Sequence, residues 1–149
     1  MTEAQTFVEI SSRSATELAQ KYLALWNAPD ADQRRRMIAE LWTEDGRHIL
    51  QPPQEIREIA AQPGIGMTAI LVAQGHQEIE ARAASVYEHW VGSEGFSFRG
   101  RDDADRLGDV VKLHWEAVAK DGTVFAVGLS FLVLAADGRI ERDYTFLVA

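Results

Sequence analysis

RLGDVVKLHWEAVAKDGTVFAVGLSFLVLAADGRIERDYTFLVA, residues 106–149, decides the fold. It divides into three runs rich in β-branched and aromatic residues, separated by Asp121-Gly122 and Asp137-Gly138. An Asp-Gly pair between apolar runs is a strong hairpin signal, because a two-residue type I′ turn needs positive φ at both central positions. Two such turns predict three consecutive antiparallel strands and fix their register. Trp115 then lies opposite Gly128, Leu113 opposite Ser130, Ser130 opposite Thr145, and Leu132 opposite Asp143. Side chains alternate along a strand. One face of the sheet therefore carries Leu113, Trp115, Ala117, Gly128, Ser130, Leu132, Asp143 and Thr145. The other carries Lys112, His114, Glu116, Val127, Leu129, Phe131, Arg142, Tyr144 and Phe146.

The whole chain has 149 residues, the size of one domain that buries a core without cross-links. It has no cysteine, which excludes disulfides, thiolate catalysis and cysteine-ligated zinc. Its net charge of −8 argues against nucleic acid, whose binding relies on clustered Lys and Arg. Arg34-Arg35-Arg36 is the single basic cluster and reads as a solvated helix face. No apolar run approaches the ~20 residues of a membrane span. Residues 1–13 lack the basic and apolar regions of a secretory signal. The expectation is a cytoplasmic protein without membrane or nucleic-acid partners.

Residues 1–12 read as a loose tail with a short strand at 7–10. Ser14-Ala15-Thr16-Glu17 is a capping box, and the helix it predicts carries Leu18, Tyr22, Leu25 and Trp26 on one stripe, stopping near Pro29. Asp30 and Gln33 cap a second helix, with Met37, Ile38 and Leu41 inward and an end near Trp42. Asp45-Gly46 reads as a turn before a short strand, 47–51, that Pro52-Pro53 ends. A short helix at 54–62 and a strand at 67–73 follow. After Gly75 comes a helix with Ile79, Ala83, Val86 and Trp90 at helical spacing. Phe96 and Phe98 alternate with polar residues, as in a strand. Helices first and an antiparallel sheet last is the α+β pattern.

Several strings resemble the SnoaL-like branch of the nuclear transport factor 2-like superfamily. Tyr22-Leu23-Ala24-Leu25-Trp26-Asn27 is similar to its first helix, and Leu41-Trp42-Thr43-Glu44-Asp45-Gly46-Arg47 to the entry of its first core strand. Gly75-His76-Gln77-Glu78-Ile79 is similar to the start of its third helix. Asp121-Gly122, Gly128 and Asp137-Gly138-Arg139-Ile140 are similar to its closing hairpins. The resemblance implies a single domain over residues 1–149. It implies a curved antiparallel or mixed sheet wrapped by N-terminal helices around a cone-shaped, barrel-like pocket, often in a dimer. It covers cyclases, isomerases, hydrolases, dehydratases and non-catalytic binders, so fold does not give function. The chain departs from the cyclase pattern at two carboxylates. Ser130 stands where those proteins carry Asp two residues after the matching Gly, and Gln51 stands where another Asp precedes the matching Pro. Residues 54–74 also form a longer link than usual, readable as a lid over the pocket mouth or as a fixed edge strand.

The resemblance turns the face bearing Ser130 toward the pocket. That face offers Asp143 as a candidate acid/base, because burial raises a carboxyl pKa toward neutrality. The competing reading places Asp143 at the rim, paired with Arg139 or another surface arginine. Ser130 and Thr145 are candidate anchors for a ligand oxygen, or simply partners of each other across the sheet. Trp115 shares their face, and His48 lies on the first core strand. Tyr22, Trp26 and Trp90 are candidate wall residues, although these three and Trp42 also read as core. His114 and Glu116 could form an acid/base pair or two metal ligands, but two ligands make no zinc site, and their register points them outward. His76 and His89 read as solvated.

Two functions compete: a binder of a small apolar ligand, and a cofactor-free cyclase, isomerase or lyase that moves a proton on a carbonyl-bearing, polyketide- or steroid-like substrate. Neither calls for a metal or a cofactor. The absent carboxylates tilt the reading toward the binder. The outward face gathers Val127, Leu129, Phe131, Tyr144 and Phe146, too apolar for water alone, which predicts a homodimer through the outer sheet face.

Overall fold

The structure is a computed structural model that describes residues 2–64 and 70–148, and side chains from residue 15 onward. Helix α1 (Thr2–Asn27) is followed by α2 (Ala31–Leu41), β1 (Trp42–Leu50), α3 (Gln54–Ala60) and β2 (Leu71–Gln74). Helix α4 (Gly75–Val86) continues into a π-helical turn, Tyr87–Gly92. Strands β3 (Ser97–Gly100), β4 (Asp105–Leu107), β5 (Val110–Val118), β6 (Val124–Leu134) and β7 (Ile140–Leu147) complete the chain. They form one open seven-stranded sheet in the order β2-β1-β7-β6-β5-β3, with β4 pairing with β5. The β1–β7 pairing is parallel and the others are antiparallel, so the sheet is mixed. No helix among the described residues is long and apolar enough to cross a membrane.

The long hairpins have the expected register by a different route. Trp115 pairs with Gly128, Leu113 with Ser130, Ser130 with Thr145, and Leu132 with Asp143. The loops, however, hold three residues, because Ala119 N–H bonds Thr123 O and Ala135 N–H bonds Arg139 O. Only Gly122 and Gly138 have positive φ, at 91° and 87°, and neither Asp does. Each Asp instead accepts the backbone N–H two residues on, from Thr123 or Arg139, the Asx turn that suits Asp to this position. The extra loop residue shifts the pairing by one. A bulge shifts it back in each hairpin: Phe125 is the extra residue between the Ala117–Ala126 and Val118–Val124 pairs. Glu141 plays the same part between Val133–Arg142 and Leu134–Ile140.

Other expectations need correction. Helix α1 runs through 7–10 and through Ser14, so there is no strand there and the capping box does not start the helix. Asp45-Gly46 is not a turn between elements but a bulge inside β1: Trp42 pairs with Ile140 and Arg47 with Arg142, and the residues between loop out. A Cβ on Gly46 would stand 3.0 Å from the Trp42 ring and 3.1 Å from Ile140 O, so a larger residue in the bulge would have to push these neighbours by a few tenths of an ångström. Arg34 is not solvated. It is buried, its Nη1 donates to Ala28 O at 2.8 Å, and its guanidinium lies over the Tyr87 ring. Part of the 67–73 strand expectation lies outside the described residues; the rest is β2, which pairs with β1 alone.

The concave face of the sheet holds the core. Ala15, Ala19, Tyr22 and Trp26 recur at helical spacing on α1 and are buried there with Ile38, Trp42, Ile79, Leu113, Leu132 and Ile140. Asn27 fastens the end of α1 to β3, donating to Phe98 O at 2.7 Å and accepting from Phe98 N at 2.8 Å. The inward list is buried except for Trp115, which is half-buried. Lys112, Arg142 and Phe146 of the other list are exposed, but Val127 of that list is buried at 6% exposure and is no part of an open outer face.

Candidate functional site

Five elements converge on one polar cluster. Alternation on β7 puts Asp143 and Thr145 on the concave face, and the parallel register sets His48 of β1 directly beside Asp143. Ser130 of β6 lies opposite Thr145. Tyr22 descends from α1, and Arg82 reaches across from α4. Asp143 and Ser130 are 0% exposed. Tyr22 Oη donates to Asp143 Oδ2 at 2.5 Å, and Thr145 Oγ1 donates to Asp143 Oδ1 at 2.7 Å. Ser130 Oγ lies 2.7 Å from Thr145 Oγ1 and therefore donates to it, since the Thr145 proton is already committed. Trp115 Nε1 donates to Ser130 Oγ at 3.1 Å. Among the described residues, no polar side-chain atom of this cluster is buried without a partner, which is what makes its burial tolerable.

The indole that closes this chain explains Gly128. A Cβ there would stand 2.1 Å from Trp115 Cε2 and Cζ2. Trp115 lies flat over its cross-strand glycine, and only that missing side chain lets Nε1 reach Ser130.

His48 is 4% exposed, with Trp26 and Trp42 at ring-centroid distances of 5.0 and 6.1 Å. Arg82 Nη1 lies 2.9 Å from His48 Nδ1. Guanidinium only donates, so Nδ1 accepts and the imidazole proton sits on Nε2, 3.5 Å from Asp143 Oδ2. Burial, helped by the nearby Arg82 charge, pushes the His48 pKa down to about 3. Burial pushes Asp143 up to about 7, against the hydrogen bonds from Tyr22 and Thr145 and the Arg82 charge. Tyr22 is raised well above its ordinary value by burial and by the Asp143 charge, so it stays a neutral phenol. Burial also lowers Arg82, opposed by Asp143 and Glu78.

Beside the cluster lies a cavity of about 590 Å³. Tyr22, Trp26, His48, Arg82 and Thr145 line it at the polar end, and Phe98, Trp115 and Leu147 continue the wall. Trp90, Phe96 and Phe125 also line it and pack together, with ring centroids 5.0–5.7 Å apart. Trp90 is not core: it is 43% exposed, carried there by the π-helical turn. The β6 bulge turns Phe125 toward the same wall. Ser130 and Asp143 are not on the cavity wall; Tyr22, Trp115 and Thr145 cover them. A ligand would meet Asp143 only through Tyr22, Thr145 or His48. Arg139 pairs with Asp137 at 2.8 Å, which removes the rim pairing considered for Asp143.

His114 and Glu116 stay outside the cavity, held by Asp103 and by Arg99 and Arg101. His76 is not free in solvent, because its Nε2 bonds Trp42 O at 2.9 Å. Among the described residues, no group of three His, Asp or Glu side chains gathers as a metal site. Arg82, Phe96, Phe98, Phe125 and Leu147 are among the wall residues that sequence reasoning missed. Arg82 sits three positions after the buried Ile79, on the flank of the helix face already read as inward.

An open mixed sheet with a helix-covered concave cavity defines a class of α+β cone. No protein-family model and no curated protein matches the chain, but solved structures do. An isomerase candidate of the SnoaL-like family from Agrobacterium tumefaciens matches with a TM-score of 0.74 and 24% identity, over 92% of this chain and 99% of that one. A SnoaL-like protein of unknown function from Burkholderia thailandensis gives 0.63 and 16%, over 92% and 97%. A polyketide cyclase candidate from Sinorhizobium meliloti gives 0.56 and 12%, over 87% and 93%. The fold is therefore the SnoaL-like, nuclear transport factor 2-like one.

Proposed function

We propose that the protein binds a small, mostly apolar molecule bearing a hydrogen-bonding oxygen. The supporting observation is an aromatic-walled cavity ending at Tyr22 and Thr145, both tied to a buried carboxyl. Such a site is apolar with a few placed polar groups. Trp26, Trp90 and Trp115 in the walls make binding visible as quenching of their emission. Titration with 2-acetylnaphthalene should saturate. Tyr22→Phe should weaken 2-naphthol, whose hydroxyl can donate to Tyr22 Oη, several-fold while leaving naphthalene unchanged. Absence of saturable quenching would overturn the reading.

Cofactor-free proton transfer, as in an isomerase or cyclase, is a second reading. It is favoured by Asp143, whose pKa near 7 suits a group that both takes and gives a proton at neutral pH. Its route to a ligand runs through the Tyr22 or Thr145 hydroxyl, not by direct contact. The isomerase and cyclase candidates of the same fold support this reading. A bound aryl methyl ketone should then exchange its α-hydrogens in deuterated water, and Asp143→Asn should stop the exchange.

The homodimer belongs to the same proposal. Leu129, Phe131 and Tyr144 are half-buried in the protomer and Phe146 is 41% exposed. A second copy across a two-fold axis would cover them.

A further inference from the structure

Among the described residues, Arg82 is the single charged side chain on the cavity wall. Its Nη1 is fully engaged, donating to His48 Nδ1 at 2.9 Å, to His48 O at 3.0 Å and to Leu71 O at 3.4 Å. Its Nε and Nη2 make no hydrogen bond among the described residues. No carboxylate among them lies within 4 Å of the guanidinium, whereas Arg35, Arg99, Arg101 and Arg139 each pair with one. Asp143 and Glu78 act on Arg82 as nearby charges without forming an ion pair with it. The cavity wall holds neutral polar groups beside this cation, Tyr22, His48, Thr145 and Ser85, and is mostly apolar beyond them, so a charge pairing there is screened less than one in water. A partly buried guanidinium on a cavity wall, with three acceptors on one nitrogen and Nε and Nη2 unbonded among the described residues, is a half-built anion site. The fork of N–H groups matches the two oxygens of a carboxylate.

Resting on the pocket reading above, we propose that the natural ligand is an apolar acid whose carboxylate docks on the open Nε/Nη2 edge of Arg82. Its apolar body then lies along the Trp26 and Trp115 walls toward Trp90 and Phe125. His48 positions the cation: by accepting on Nδ1 and lying between Trp26 and Trp42, it fixes which edge of the guanidinium faces the cavity.

The experiment compares an acid with its uncharged isostere by calorimetry, using 2-naphthylacetate and 2-naphthylacetamide at constant pH. The wild type should bind the acid at least tenfold more tightly than the amide. Arg82→Gln should bring the two to equality by weakening the acid alone, and Arg82→Lys should retain part of the preference. Trp90→Ala, which shortens the apolar wall, should weaken both ligands by the same factor. Equal binding of acid and amide to the wild type overturns the anion site while leaving the pocket reading intact. So does an acid preference that survives Arg82→Gln. Failure of both ligands to bind overturns the pocket reading itself. If Arg82→Gln does not fold, the Lys variant and the wild-type pair still decide the point.

Discussion

Asp143 and His48 lie 3.5 Å apart and are both buried, yet burial moves their pKa values in opposite directions. Asp143 rises from 3.8 to about 7 and so contributes stability present below pH 3.8 and lost as pH rises through 7. His48 falls from 6.5 to about 3 and so contributes stability present above pH 6.5 and lost as pH falls through 3. Between these limits each changes stability by ~1.4 kcal/mol per pH unit, with opposite sign, and the two slopes cancel. Asp143→Asn should therefore gain stability from pH 4.5 to 6.5. His48→Gln should lose it over the same range, and the wild type should stay nearly level. Urea midpoints at the two pH values measure this. Flat profiles in both variants would mean that the native pair is not neutral. Gly128→Ala should cost about 1–3 kcal/mol through overpacking and should change the near-ultraviolet dichroism of Trp115. Some of this was legible in the sequence: alternation alone puts Asp143, Ser130, Thr145 and Trp115 on one face. That Tyr22 and Trp115 would cover the carboxyl was not, because it depends on rotamers and on how deeply α1 sits. Arg82 was missed for a related reason, since an arginine on an amphipathic helix carries the same sequence signature whether it faces water or a cavity.

At the scale of elements, each hairpin pairs a three-residue loop with a bulge on the following strand, and the two displacements cancel. This explains why a register derived from two-residue turns was right along the strands and wrong at their ends. The Asp-Gly signal marks where the chain reverses, but bulges at Phe125 and Glu141 follow from packing that no local pattern encodes. Gly122→Ala and Gly138→Ala should each cost ~1–2 kcal/mol, since both hold positive φ, visible as lower urea midpoints. Among the described residues, strand β2 pairs with β1 alone, and it presents Leu71 to the cavity. Its amides should exchange faster than those of β6 and slow when 2-acetylnaphthalene is added. Equal protection from the outset would mark β2 as a fixed wall and not part of a lid.

For the molecule as a whole, helices preceding a sheet announced the α+β architecture, and residue alternation announced which face would be wet. The depth of the cavity was not announced. It arises from the π-helical turn after α4 and the bulge in β6, which set Trp90 and Phe125 at the wall. The outer face makes the assembly testable. Phe131 and Phe146 pack edge to face at 5.9 Å on a surface whose neighbours are partly apolar. Phe131→Asp should convert a sedimenting dimer to a monomer. A wild type already monomeric at micromolar concentration would leave that face without a second copy.

The indole lying across Gly128 also constrains how this protein could have diverged. Any side chain at 128 collides with Trp115, and any smaller residue at 115 opens a passage to Ser130. Neither position can drift alone without destabilising the chain or changing what reaches that hydroxyl. Across descendants of this sequence, 115 and 128 should change together. A lineage that acquired alanine at 128 and a small residue at 115 would have turned a sealed serine into one that touches the ligand.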